Sequence, residues 1–170
     1  MQRQKAVIAP FNMKYLNDYY IGFDKEITKY QWPDPFDSIE SARDVLQEFM
    51  NEMEKGETLF CSILSGNGKF LGGVEIHGLG GDCPELGVWI VRDEQNKGYA
   101  FEALSEALRI AHDKYAKQEF FYEADIRNEA STKLLQKFRD RYDIIDQDVE
   151  MLTTHSGKKL QLQGHIMKTR

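Results

Sequence analysis

Cysteine is scarce, with only Cys61 and Cys83 in 170 residues. Neither stands at metal-ligand spacing, so two buried thiols in a reducing compartment fit better than a disulfide framework. No run approaches the ~20 apolar residues of a membrane helix. The N-terminal stretch carries Arg3 and Lys5 but no apolar core of signal-peptide length. A cytoplasmic protein that does not engage a membrane is expected. Positive charge is also short: 22 Lys and Arg face 28 Asp and Glu, net −6, with no long basic run. That excludes broad nucleic-acid binding, which needs a clustered positive surface, and it mildly suits a cationic acceptor. Internal repeats, low-complexity segments and a G-x-S-x-G elbow are missing too. His112, His155 and His165 lack a carboxylate or cysteine at ligand spacing, so no metal is expected. His77 lies on a strand and reads as a satisfied structural residue before it reads as a base.

What is present is ordinary for a globular chain: 41% hydrophobic and 29% charged residues. A single domain over 1–170 is expected, large enough to bury about two thirds of the unfolded surface. Residues 5–9 read as a strand stopped by Pro10, and Asn12 as the cap of a helix bearing Tyr15, Leu16, Tyr19, Tyr20 and Phe23. Tyr30 to Phe36 is an aromatic loop stiffened by Pro33 and Pro35. Ser38 caps a helix over 39–55 whose stripe of Ala42, Val45, Leu46, Phe49, Met50 and Met53 is one-sided; its methionines are core filler. Strands at 57–65, 69–78 and 85–91, joined by short turns, are expected to be antiparallel. A strand at 120–126 follows a long helix, which makes a right-handed crossover between parallel strands. A helix capped by Asn128 and a hairpin over 142–152 and 160–167 close the chain.

The organising stretch is Glu85-Leu86-Gly87-Val88-Trp89-Ile90-Val91, then Gln95-Asn96-Lys97-Gly98-Tyr99-Ala100. It is a strand, a polar turn and a glycine-bearing loop. That loop opens a helix with Ala100, Leu104, Ala107, Leu108, Ala111 and Tyr115 on one face. Free backbone N–H groups at that helix start, with the helix dipole, form a cradle for an anion, phosphate above all. The spacing Gln95-x-x-Gly98-x-Ala100 after a strand resembles the Q/R-x-x-G-x-G/A motif of the GNAT superfamily of N-acetyltransferases. Glu85 to Ile90 is similar to the E-I-G-Y-W-I strand of the RimJ/RimL-like branch, which acetylates protein amino termini. Asn128-x-x-Ser131-x-x-Leu134-Leu135 resembles a second GNAT pattern, although Arg139-Asp140-Arg141-Tyr142 replaces the glycine-phenylalanine that ends it.

The resemblance implies an α+β fold: a mixed, mostly antiparallel central sheet flanked by helices, with a splayed central strand forming the coenzyme cleft. It implies acetyl-CoA as co-substrate, with the loop Gln95, Asn96, Lys97, Gly98, Tyr99 and Ala100 on its pyrophosphate. Backbone groups of Trp89, Ile90 and Val91 would pair with the pantetheine arm, and Asn128 would touch the same ligand. The oxyanion donor would be the N–H of Val91 or a neighbour. Lys133 and Lys137 read as a solvated face rather than phosphate ligands. Glu85, sharing a strand face with Gly87 and Trp89, is the candidate base or acceptor ligand, with Gly87 leaving space beside it. Ser131 is the first candidate acid and Tyr142 the second. Trp32 and Phe36 border the expected acceptor site. The acceptor is expected to be a protein or peptide α-amino group. A polyamine or other small amine, for which Asp34 and Asp37 are suited, is the alternative, as is a CoA-binding sensor without turnover. The hairpin near 148–168 is where a homodimer would form.

Overall fold

The computed structural model describes residues 3–170. A seven-stranded sheet runs in the order β1-β2-β3-β4-β5-β7-β6. Its strands are β1 (Val7–Pro10), β2 (Thr58–Leu64), β3 (Phe70–His77), β4 (Glu85–Ile90), β5 (Glu119–Asp125), β6 (Tyr142–Thr153) and β7 (Lys159–Thr169). All neighbours are antiparallel except β4 and β5, which are parallel across α3 (Tyr99–Tyr115), as a strand–helix–strand crossover requires. The remaining helices are α1 (Leu16–Gly22), α2 (Ile39–Glu54) and α4 (Glu129–Gln136).

The sheet is covered on both faces. On one, Leu104, Ala107, Leu108 and Ala111 of α3 and Leu134 and Leu135 of α4 pack on Ile63, Leu71, Leu86 and Phe120. On the other, Leu16 and Tyr19 of α1 and Ala42 and Leu46 of α2 pack on Phe60, Phe70 and Trp89. The α2 stripe is as expected, with Met50 and Met53 against this second core. Ser38 accepts from the Ser41 N–H at 3.1 Å while the Ser41 hydroxyl accepts from the Ser38 N–H at 3.1 Å, a reciprocal cap that fixes where α2 begins. Both cysteines are free, and Cys61 is buried.

The departure at residues 139–142 leaves the turn intact. The Arg141 and Tyr142 N–H groups both donate to the Phe138 carbonyl, at 3.0 and 2.9 Å, and Phe138 is fully buried. Phe138, the last inward residue of that helix pattern, closes the core, and the turn forms on its carbonyl without the glycine-phenylalanine pair. β6 is an edge strand that exposes Ile145, Val149, Met151 and Leu152. Among the described residues no helix is long and apolar enough to cross a membrane.

What positions the site is a fork. β4 and β5 pair only at Glu85 with Phe121 and Leu86 with Tyr122, then diverge. β4 stays with β3 up to Ile90, and β5 stays with β7.

Candidate active site

The fork opens into a cavity of about 460 Å3. Val88, Trp89 and Ile90 line it from β4, and Gln95, Asn96, Gly98, Tyr99 and Ala100 from the loop and the start of α3. Asn128, Ser131, Lys133 and Lys137 line it from α4, and Ile27, Tyr30 and Gln31 from the segment between α1 and α2. The two motif-bearing blocks of the sequence thus meet across one cleft.

The loop owes its shape to two left-handed residues, Asn96 at φ 61° and Gly98 at φ 86°. Asparagine and glycine tolerate that region where other residues are strained. Gly98 caps α3 without a side-chain hydrogen bond, and the first helical bond runs from the Glu102 N–H to the Gly98 carbonyl at 3.2 Å. The N–H groups of the first turn are therefore left to a ligand. One residue that sequence reasoning missed stands here. Arg3 lies 4.5 Å over the Tyr99 ring and forks onto Glu102 at 2.7 and 3.1 Å. No motif marks it, because it reaches the loop only through the fold. Lys97 does not line the cavity. Its ammonium pairs with Glu94 at 2.8 Å, and Lys69 holds the other Glu94 oxygen at 2.6 Å.

The strand donors differ by one residue from the expectation. The Val91 N–H donates to the Leu71 carbonyl at 2.8 Å. By alternation the N–H groups of Gly87 and Trp89 also face β3. Val88 and Ile90 face the fork, where β5 has already left, so among the described residues their N–H groups have no strand to donate to. The Ile90 carbonyl accepts from Gln95 Nε2 at 3.1 Å. Of the three expected residues, Trp89 and Val91 thus turn their N–H groups to β3, while Ile90, with Val88, turns its own to the fork. The Trp89 ring lies in the aromatic core, 4.9 Å from Tyr19 and 5.1 Å from Phe23.

Asn128 caps α4 by accepting from the Ser131 N–H at 3.1 Å, which sets both residues on the cleft wall. Lys133 and Lys137 line the same wall, so they are cleft residues rather than a plain solvated face.

Glu85 does not line this cavity. It is exposed and stands where β4 and β5 are still paired, opposite His77. Loss of hydration raises its pKa; His77 opposes the shift and Glu75 adds to it. The space at Gly87 is filled from the neighbouring strand, since a Cβ there would meet Glu75 Cγ at 2.9 Å. Glu75, two rungs nearer the fork than Glu85, is the second acid that sequence reasoning missed. His77 Nε2 lies 3.4 Å from Glu75, and Thr58 Oγ1 is 3.3 Å from its Nδ1, a satisfied residue as expected. Among the described residues no group of three metal-ligating side chains stands together.

Tyr142 lies elsewhere. It is buried against Phe120 and Phe138, and its hydroxyl is 2.8 Å from His112 Nε2 in a separate cavity behind α3. Tyr142→Phe should therefore cost about 1 kcal/mol of stability, the price of one hydrogen bond. It should change kcat less than threefold, checked by denaturant unfolding and steady-state rates. Phe36 packs on Tyr19 and Phe23 at 6.2 and 5.8 Å, and Trp32 is exposed; neither lines the cleft.

Asp34 is not available to an acceptor amine. Its carboxylate accepts from the Thr154 hydroxyl at 2.9 Å, the Ser156 hydroxyl at 2.8 Å and the Ser156 N–H at 3.0 Å, with Lys158 at 3.4 Å. Loss of hydration works to raise its pKa, but the Ser156 and Thr154 hydrogen bonds and the Lys158 charge outweigh that and hold it at about 2.

Residues 6–139 match the acetyltransferase (GNAT) domain. No curated protein matches the chain in sequence. The fold is that of the spermidine N-acetyltransferase from Vibrio cholerae in complex with CoA and spermine, with a TM-score of 0.80, 12% identity and 96% of each chain covered. It is equally similar to Mycobacterium smegmatis RimJ in complex with CoA-disulfide (TM-score 0.78, 14% identity, 96% of this chain and 81% of that one). The ribosomal α-N-protein acetyltransferase RimL in complex with coenzyme A gives 0.77 at 13% identity, covering 97% and 94%. A strand fork beside an uncapped, glycine-led helix, inside a matching domain that spans most of the sequence, gives the assignment: the chain belongs to the GNAT acetyltransferase family.

Proposed function

We propose that the protein moves an acetyl group from acetyl-CoA to a primary amine, with a protein or peptide α-amino group as acceptor. One observation carries this: unpaired N–H groups of Val88 and Ile90 run on, through the cleft, to the uncapped start of α3. An extended amide-bearing arm fits the first as an added strand, and a diphosphate fits the second. The donor supplies an activated thioester. Gly98, Tyr99 and Ala100 hold its phosphates, with Lys133 and Lys137 on the opposite wall. A main-chain N–H at the fork is placed to stabilise developing negative charge, typically worth about 3–4 kcal/mol.

The thiols support direct transfer. Cys61 is buried, which pushes its pKa up to about 12, and burial also raises Cys83; neither lines the cleft. A covalent acyl-cysteine step would need an accessible thiolate. Ser131 is the proposed acid for the leaving thiolate. Glu85, with Glu75 beside it, is the proposed base or acceptor ligand, acting through water. An α-amine near pKa 8 costs only about 1 kcal/mol to deprotonate at pH 7, against ~4–5 kcal/mol for a lysine side chain. A weak, water-relayed base therefore suffices for the first.

A second reading rests on charge. Glu123 is raised by loss of hydration and then by Glu85 and Glu150, and Glu85 is raised in part by Glu75. Four carboxylates that feel one another suit an acceptor with more than one positive charge, such as a polyamine. Thiol release from acetyl-CoA, measured against α-amino peptides and against polyamines, decides the acceptor. Tight coenzyme binding with no turnover on either panel would mean a sensor module instead.

Glu85→Gln tests the base. Because its folded pKa lies above the ordinary carboxylate value, the rate should rise with pH through a limb above 4.5, before the limb of the amine itself. The variant should lose that lower limb and about tenfold in kcat/KM. An unchanged profile would remove the role.

A further inference from the structure

The segment between α1 and α2, residues 23–38, has no regular helix or strand. Irregular segments longer than about 12–15 residues are uncommon in compact domains unless they serve a site. This one supplies Ile27, Tyr30 and Gln31 to the cleft. Local turns shape its first half, with Asp24 accepting from the Glu26 and Ile27 N–H groups at 3.0 Å and the Thr28 and Gln31 N–H groups donating to the Asp24 and Thr28 carbonyls, and Phe23, Ile27 and Phe36 anchor it in the second core. The polar main chain from Thr28 to Asp34 is held from the far end of the sequence. The Lys158 ammonium, in the β6–β7 turn, donates to the carbonyls of Thr28 and Gln31 at 2.7 Å each and to Pro33 at 3.4 Å. Asp34 returns the grip by accepting from Thr154 and Ser156 in the same turn. A charge-assisted donor spread over three carbonyls is a strong and directional constraint.

We propose that Lys158 and Asp34 are positioning residues for acyl transfer: they buckle the β6–β7 turn onto segment 23–38 and so hold one wall of the coenzyme cleft at its working distance from α4. This deepens the proposed function and rests on it. Neither residue touches the cleft; both act through Tyr30, Gln31 and Ile27. A pre-formed wall lowers the ordering cost of binding, so its loss appears in ligand affinity as well as in stability.

The test compares wild type with Lys158→Met, Asp34→Asn and the double variant, at a temperature where circular dichroism shows each folded. Coenzyme A binding is read by calorimetry, acetyl transfer by thiol release, and segment order by tryptic cleavage after Lys25 or Lys29. Each single variant is expected to weaken coenzyme A about tenfold and to speed cleavage by a similar factor. The double variant should be no worse than the worse single one, because the two residues make one buckle. Lys158→Arg, which keeps charge and donors, should recover part of the affinity. A merely structural role would lower the melting temperature and leave affinity and KM where they were; Kd within twofold of wild type in both single variants overturns the proposal. If Lys158→Met does not fold, Asp34→Asn decides alone by the same criterion. A wild type that binds no coenzyme A at all overturns the proposed function and the buckle with it, whereas a binding wild type with unaffected variants overturns the buckle only.

Discussion

Gly98→Val should weaken coenzyme A on the order of 100-fold, or about 2.7 kcal/mol. The residue sits at φ 86° and a Cβ there would meet Arg3 Nη2 at 3.3 Å. A β-branched side chain in the left-handed region is strained by about 1–2 kcal/mol, and the chain relieves that strain by rotating the peptide units that point into the cleft. Stability and affinity must be separated, and Gly68→Val separates them. Gly68 has nearly the same φ, 85°, in the β2–β3 turn, with nothing within 4 Å. It should lose comparable stability by denaturant unfolding and no affinity by calorimetry. Should Gly98→Val bind coenzyme A within threefold of wild type, the phosphates are held somewhere else.

Gly72→Ala should be the most destabilising of the substitutions considered, by about 3 kcal/mol. Gly72 lies opposite Ile90 at φ 156°, and a Cβ there would fall 2.0 Å from the Trp89 carbonyl oxygen and 3.0 Å from Ile90 Cα. Both contacts are backbone, so no rotamer change relieves them. β4 has to move away from β3 at Trp89 and Ile90, the second of which turns its N–H to the fork. A fall of roughly 10 °C in melting temperature is expected by calorimetry, at 2–4 °C per kcal/mol for a chain of this size. Coenzyme affinity should fall with it even well below the transition. A variant that melts with wild type would mean that β3 and β4 have slack that their register does not suggest.

The elements themselves were legible because each carries its own period and its own stop signals. α2 begins after Ser38 and α3 after Gly98, as the capping chemistry requires, and the fork lies in the strand that the motif singles out. What was not legible depends on register. Whether Val91 or Ile90 faces the fork is a question of parity, and parity is set by the pairing of Leu71 with Val91 in another strand. The vacancy at Gly87 was visible, but its occupant, Glu75, comes from β3. Asp34 reads as an acceptor ligand in any local window; its partners lie 120 and 122 residues away. Tyr142 was the second candidate acid, but its hydroxyl is taken by His112, a helix residue without a local partner in sequence. Lys133 and Lys137 show how a helix face that is polar by composition can still be the wall of a site.

Two paired residues are a narrow seam for a sheet of seven strands. On one side lies a raft of four strands with α1 and α2, and on the other a raft of three; the crossover helix and its core lean across the join. Local opening has its lowest free energy where main-chain pairing is thinnest, so breathing of this molecule concentrates along that line. A substrate whose amide-bearing arm lies in the seam completes the hydrogen-bonded fabric and couples the rafts. If the coenzyme arm binds there as proposed, product departure removes a stitch, and turnover would mend and part the protein's own middle.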